Sequence, residues 1–492
     1  MSAIKKLAGQ TVIYGLSSIV GRFLNYLLVP LHTSVAFGFS TDQYGIITEM
    51  YAYVAFLIVL LTYGMETSFF RFYNKYPEKK DQVYSTAMIA LLTTTTLAIL
   101  GAFMFAQPIA NAIGYPDHSE FIIWFAIIVG FDAVSSIPLA KLRVENQPMR
   151  FAKINLANIA VNIGLNLFFL LILPLFGVEV GVGYVFIANL AASVVKLLLL
   201  SPDFFKNGKV FNNSLFREML KYGLPILFFG LAGIVNETID RIMLKNLLVD
   251  KFVDAGHSVK VATSMAQSEN GIYGAVYKIS IIITLFVQAF RYAAEPFFFS
   301  QEKKANAKKT YATVMNYFVL VVATIFLMVT LYIDIFKHFV PNEDYWVGLK
   351  VVPILLFANI CLGIYFSQSI WYKLTDRTMW GAYLAVFGAI ITLTLNFIWI
   401  PKYGYEGSAW ATLITYVAMM IASYILGQKY YPINYNLKKI FFYLGLSLVL
   451  FFLGETINFN SSFVNFLLKT LVFSFYLFIV WGLEKPNLKL KR

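Results

Sequence analysis

Charged side chains stand inside stretches of this sequence that are otherwise almost wholly apolar, and they define the chemistry open to the chain. The basic ones are Arg22, Arg241, Lys278, Arg291 and Lys469; the acidic ones include Glu66, Asp132, Glu237, Asp240 and Glu295. An ionisable group at the centre of a membrane helix costs about 3 kcal/mol on insertion scales, so each needs a partner, a wet cavity or a function. Glu237 and Arg241 are four residues apart, as are Arg291 and Glu295, so either pair can neutralise itself on one helix face. Arg22 and Lys278 have no acidic residue three or four positions away. A guanidinium suits a planar, bidentate grip on phosphate oxygens, whereas an ammonium acts as a compact charge. The plainer alternative for both is a distant acid such as Asp132 or Glu49 that only holds helices together. Asp132 and Asp240 lack a basic residue three or four positions away, although Asp240 adjoins Arg241. A carboxylate removed from water can take up a proton or bind Na⁺ with help from Asn or Thr oxygens. Asp132, Asp240 and Glu237 are therefore the candidates for coupling to H⁺ or Na⁺.

The elements that must carry these residues are membrane helices. The chain has 492 residues, of which 59% are hydrophobic and 13% charged, with a mean hydropathy of +0.69. Soluble domains average about a quarter charged residues, so this chain has too little polar surface to coat such domains. About 20 apolar residues cross the hydrocarbon. Fourteen such stretches are expected, the first over 11–31, the eleventh and twelfth over 379–400 and 405–427, and the last over 463–482. Lys and Arg collect on alternate loops, the opposite ones holding only Lys245, Lys251, Lys260, Lys337, Lys350 and Lys402. By the positive-inside rule both termini are expected in the cytoplasm. Residues 1–31 are read as a retained first helix rather than a secretory signal, because Arg22 and Asn25 interrupt the apolar run.

The formal charge of +13 is spread over these loops, with no single basic soluble face, so no nucleic-acid partner is expected. One cysteine, Cys361, and four scattered histidines offer no metal site. No loop is long enough for a soluble catalytic domain and no phosphate-cradling glycine loop occurs, so an enzyme is not expected.

The sequence is also duplicated. Tyr44-Gly45, Glu66 and Phe69-Phe70 recur as Tyr273-Gly274, Glu295 and Phe298-Phe299 at an offset of 229. Arg143 matches Lys373 at 230, and Gly177 to Glu179 matches Gly404 to Glu406 at 227. The expected organisation is an N-terminal lobe of six helices over 1–210, a second over 211–430, and a terminal helix pair with a tail over 431–492. Because six is even, the two copies share one orientation. Parallel repeats of this kind leave a central cleft that rocking exposes to each side in turn.

Four stretches then carry a resemblance: Gln10-Thr11-Val12-Ile13-Tyr14-Gly15-Leu16, Asp240-Arg241-Ile242-Met243-Leu244, the unit from Gly271-Ile272-Tyr273-Gly274 to Glu295-Pro296, and Gly404-Tyr405-Glu406-Gly407-Ser408-Ala409. In this order the chain resembles the oligosaccharide-lipid flippases of bacterial polysaccharide biosynthesis, within the multidrug/oligosaccharidyl-lipid/polysaccharide (MOP) exporter superfamily. The resemblance implies an all-α polytopic protein of the inner membrane. It would move an undecaprenyl-pyrophosphate-linked oligosaccharide from the cytoplasmic to the periplasmic leaflet by alternating access. It also implies a cleft lined by helices 1, 2, 7 and 8, which makes Arg22, Lys278, Arg291, Glu66 and Glu295 the candidate substrate-binding residues. No cofactor is implied beyond Na⁺ or H⁺ as a coupling ion. The expected partners are the lipid-linked oligosaccharide, the bilayer and polysaccharide assembly proteins, with the monomer as the functional form. Which glycan is moved does not carry over. The rivals are a cation-coupled multidrug exporter or lipid II flippase of the same superfamily, and more distantly a membrane glycan polymerase or ligase.

Overall fold

A computed structural model describes residues 20, 21, 23–204, 210–302 and 304–489, with side chains as far as Glu484. Among the described residues the regular structure is entirely helical. Hydrocarbon offers no partner to a backbone N–H or C=O, so a spanning segment must bond its own backbone, which a helix does. The main helices are α1 (Thr41–Thr62), α2 (Met65–Lys75), α3 (Lys80–Met104), α4 (Ser119–Val144), α5 (Pro148–Leu167), α6 (Gly183–Phe204), α7 (Asn213–Asp254), α8 (Val259–Gln301), α9 (Ala307–Leu331), α10 (Val352–Gln368), α11 (Met379–Tyr430), α12 (Leu437–Glu455) and α13 (Ser462–Lys489).

Local sequence sets the helix starts. Ser40 and Gln43 close a capping box at the head of α1, the Ser40 N–H donating to Gln43 Oε1 at 3.2 Å. Asn212 and Asn436 cap α7 and α12, accepting from Leu215 N (3.0 Å) and Lys439 N (3.1 Å). Pro148 opens α5, where its missing N–H has no helical partner to lose.

Among the described residues twelve helical runs are long and apolar enough to cross a membrane, against fourteen expected spans. Two causes account for the difference. The eleventh and twelfth expected spans are both present within α11, as two helices that meet at a kink at Gly404 (φ 57°, ψ −139°), a conformation that a side chain would strain. Of the first expected span, only Phe23–His32 remains as a shorter apolar helix, because residues 1–19 lie outside the described residues. The protein is an all-α, multi-pass membrane protein, and large exposed apolar side chains such as Leu97, Phe228, Phe397 and Phe478 suit a lipid-facing surface.

The chain packs as two compact units. One runs to Ala275 and takes in Ala385–Ser408; the other comprises Val276–Leu384 and the residues from Ala409 onward. In the first unit Met65, Phe69, Tyr84, Ile137, Leu215 and Met219 build a buried core between α2, α3, α4 and the start of α7. There, too, α1 meets the N-terminal part of α8 at very close range. A Cβ on Gly271 would overlap the Thr41 carbonyl, and one on Gly45 would overlap the backbone of Gln267. Small residues permit such a crossing, and the Thr41 and Ser268 hydroxyls bond across it at 2.7 Å.

In the second unit, cores form around Phe298, Tyr311, Ile370 and Ile433, and around Cys361, Tyr365, Tyr416 and Met419. Helices α12 and α13 are tied by Glu484, which accepts from Lys439 (2.6 Å) and from the Tyr443 hydroxyl. Lys469 of α13 reaches Asp334 at 3.3 Å. Burial pushes the Asp334 carboxyl up, but Lys337 and Lys469 more than offset this and hold it below the usual carboxylate range.

Candidate functional site

In the second unit, the C-terminal part of α8 carries Arg291 and Glu295 one turn apart, as the sequence spacing requires. The chain after α10 brings a further cation to them: Lys373, in the short helix Ile370–Leu374, donates to Glu295 Oε1. The three line a small, half-open pocket of about 20 Å³, walled by Phe290, Phe298, Phe366, Ser367 and Ser369. The Arg291 guanidinium lies 4.0 Å from the centroid of the Phe366 ring, an arrangement that fixes its orientation by cation–π attraction. Two cations face one carboxylate within aromatic walls, so the pocket carries a formal excess of one positive charge and can receive an anion.

The first unit contains the corresponding ion pair. Glu66, on α2, accepts from Arg143 at 3.0 Å, and these are the residues that the sequence duplication aligns with Glu295 and Lys373. Both are about two-fifths exposed. The position aligned with Arg291 is Thr62, so this copy is electrically balanced.

The first unit also holds three further charge clusters, the first two buried and the third partly exposed. Glu49 of α1 is fully buried and lies 3.5 Å from Lys245 of α7, itself 2% exposed. Tyr53 donates to Glu49 at 3.2 Å, and Tyr115, from the segment between α3 and α4, donates to its other oxygen. Lys245 also donates to the Ile113 carbonyl, over the face of the Tyr115 ring. Burial, with Glu49 beside it, pushes the Tyr115 hydroxyl far above the ordinary phenol range. The second cluster centres on Asp240, which accepts from Arg241 (2.8 Å), Tyr273 (2.8 Å) and Ser408 (3.3 Å). The third is Asp132 of α4, held by Lys196 (2.6 Å) and Ser193 (2.9 Å) of α6.

The matched family model decides what these sites belong to: it is that of polysaccharide biosynthesis protein and covers residues 7–302, more than half of the chain. The chain belongs to the polysaccharide biosynthesis protein family. A comparison with curated proteins returns no match. Among solved structures, the chain is similar to the lipid II flippase MurJ in an inward closed conformation, with 16% identity and a TM-score of 0.67 over 96% of this chain and 99% of that one. It is similar to an inward-facing multidrug resistance MATE transporter of the MOP superfamily, at 12% identity and a TM-score of 0.63 over 86% and 97%. A third likeness is to a MOP superfamily transporter of Pyrococcus furiosus, described by the reverse polarity of its binding pocket, at 16% identity and a TM-score of 0.54 over 87% and 98%. At these identities the likenesses establish the MOP fold.

Set within a polysaccharide biosynthesis protein of this fold, the residues singled out from sequence fall into three groups. Arg291 and Glu295 come together in the pocket. Lys278 sits half-buried on α8 thirteen residues before Arg291, about 20 Å along the helix, and Glu66 belongs to the balanced pair. Arg22 lies outside the described residues. Of the acids, Asp132 and Asp240 both have cationic partners, and Arg241 donates to the Glu237 backbone carbonyl as well as to the Asp240 carboxylate. Sequence reasoning missed Lys373 and Lys245. Lys373 was legible as the repeat mate of Arg143. Lys245 was counted with the loops because α7 runs on to Asp254, beyond the length of one span. Its place between the buried Leu244 and Leu248 was the available signal.

Proposed function

We propose that the protein flips an undecaprenyl-pyrophosphate-linked oligosaccharide from the cytoplasmic to the periplasmic leaflet of the bacterial inner membrane, by alternating access, with both termini in the cytoplasm. The observation that carries this reading is the pocket of Arg291, Lys373 and Glu295 within a membrane-spanning segment. A pyrophosphate brings about two negative charges, and moving it through hydrocarbon unaided incurs the full cost of charge burial. Arg291 offers a planar grip on its oxygens and Lys373 a compact charge. Glu295 holds Lys373 in place between substrates, and the phenylalanine walls suit a sugar or prenyl face. Arg22 and Lys278 are further cations on the substrate's way.

Transport draws on a Na⁺ or H⁺ gradient through Asp240, with its neighbour Glu237, or through Asp132. The protein acts as a carrier rather than a catalyst, as a monomer, alongside polysaccharide assembly proteins. A multidrug exporter taking cations is disfavoured by the positive excess in the pocket. A lipid II flippase differs in its consequence, since its loss stops cell-wall synthesis rather than one glycan.

The test is complementation of a deletion strain. Arg291→Ala is expected to leave the lipid-linked glycan on the cytoplasmic face at normal protein level. A double variant, Lys373→Met with Glu295→Gln, strands no charge and is expected to do the same. Normal export by both variants overturns the assignment of this pocket.

A further inference from the structure

Helix α5 carries four asparagines at spacings of three, four and four residues: Asn155, Asn158, Asn162 and Asn166. They follow one face for about 16 Å, inside a segment long and apolar enough to cross a membrane. A second face of α5 is exposed and apolar, formed by Met149, Leu156, Ala160, Gly164 and Leu167, with Lys153 near the helix start. At about 100° per residue the two faces point about 150° apart, so the face that suits lipid turns the amides away from it. Packing does not consume them either, since Asn155, Asn158 and Asn162 stay partly exposed and only Asn166 is buried. An amide facing hydrocarbon finds no partner and is costly. A partly exposed amide face directed away from lipid therefore borders polar, water-filled space. Its two flanks are closed. On one, Ile154 forms a buried cluster with Leu142 of α4 and Leu200 of α6. On the other, a Cβ on Gly21 would overlap Ile159, Asn162 Nδ2 donates to Asn25 Oδ1 at 3.1 Å, and His32 Nε2 lies 2.9 Å from Asn166 Oδ1. These bonds fix the C-terminal half of the stripe. The N-terminal half is open: Asn155 donates only to the Phe151 carbonyl of its own helix, at 3.1 Å, and Asn158 makes no side-chain hydrogen bond among the described residues.

We propose that this amide face of α5 binds neutral sugar rings of the glycan. A carboxamide donates and accepts without carrying charge, as a sugar hydroxyl does, so the two can exchange paired hydrogen bonds wherever a ring comes to lie along the stripe. An acidic sugar fits less well, because Arg150, the basic residue five positions before Asn155, is already held by Asp203. A metal cation would need a carboxylate, and the groups bonded to the stripe are amides, an imidazole and backbone carbonyls. Asn155 and Asn158 meet the sugar. Asn162 and Asn166, tied to Asn25 and His32, are positioning residues that hold the face in register. The role of this face in transport rests on the flippase reading and deepens it: charge holds the pyrophosphate, and uncharged amides hold the sugars.

The test uses the full chain in lipid nanodiscs, with its single cysteine removed as Cys361→Ala. In Asn158→Cys the thiol is expected to react with a charged, water-soluble maleimide at least tenfold faster than in Leu156→Cys, on the exposed apolar face. Maltotetraose and chitotetraose serve as neutral probes, and at least one is expected to slow the Asn158→Cys reaction threefold or more. Tetragalacturonate and sorbitol at equal concentration are expected to leave it unchanged. Adding Asn155→Leu should abolish the protection and Asn155→Gln should keep most of it, with melting temperatures near native in both. A thiol that the reagent does not reach would make the asparagines a packing seam, and one that is reached but protected by neither neutral sugar would make the face merely wet. Either result overturns the proposal. Protection by sugar, combined with normal glycan export from a deletion strain, would overturn the flippase reading instead and leave the sugar site standing.

Discussion

Glu66 and Glu295 occupy the same place in the duplicated sequence and each holds a basic partner, Arg143 in one case and Lys373 in the other. Around them the two regions diverge. Before Glu66 the helix breaks, Tyr63 (φ 32°) and Gly64 (φ 71°) both turning left-handed between α1 and α2. Before Glu295 the aligned Tyr292 and Ala293 continue α8 without interruption. The unbroken helix keeps Arg291 one turn from Glu295, in a pocket; the broken one has Thr62 there and a neutral pair. The ion pair recurs in both copies of the duplicated sequence, and in the second one further cation on an unbroken turn gives the proposed anion site its excess of positive charge.

The sharpest test of this contrast removes the added cation. Arg291→Ala is expected to lower export about 100-fold, the equivalent of about 2.7 kcal/mol and within the range for charge-assisted hydrogen bonds. Thr62→Ala should leave export unchanged, both read as glycan at the cell surface normalised to protein level. Equal effects would erase the distinction between the copies.

The backbone difference comes next. A Cβ on Gly64 would both occupy a left-handed conformation and overlap the Gly223 carbonyl, so Gly64→Ala is expected to cost about 1–3 kcal/mol in thermal or denaturant unfolding. At the aligned position in the unbroken helix, Ala293→Gly should cost no more than about 1 kcal/mol, the propensity difference alone. The smallest effect belongs to the balanced pair. Its members are half-exposed, so Arg143→Ala is expected to cost about 0.2–1 kcal/mol of stability and to leave export near native. A large transport defect there would give the first copy a role that its neutral charge argues against.

Much of the fold was legible because it rests on local properties. Apolar run length placed the spans, whereas the caps at Ser40 with Gln43 and at Asn212 start α1 and α7 ahead of their apolar runs. The division between the eleventh and twelfth spans was legible too, since the two helices meet at a kink at Gly404. What the apolar window did not give was helix length: α7 extends past it into charged residues without ending. The candidate site was legible to the same depth: Arg291 and Glu295 share a face by spacing alone, and the offset between copies pointed to Lys373. Asp132, without a basic residue three or four positions away, is held by Lys196, sixty-four residues on, and no period in the sequence encodes that distance.

By itself, then, the sequence determined the solvent this chain folds in, the helices that solvent imposes, the duplication, and which charges must be answered inside the membrane. Tertiary structure alone decided which partner answers each of them. Glu49 meets Lys245 from another helix and Tyr115 from another segment, and Asp240 meets Tyr273 and Ser408. The physical reason is one of range. Hydropathy and capping act over one or a few helical turns, whereas the cost of a buried charge is offset by whichever donor the packed helices bring within about 3 Å, and that is settled by how small residues such as Gly45 and Gly271 let the helices approach.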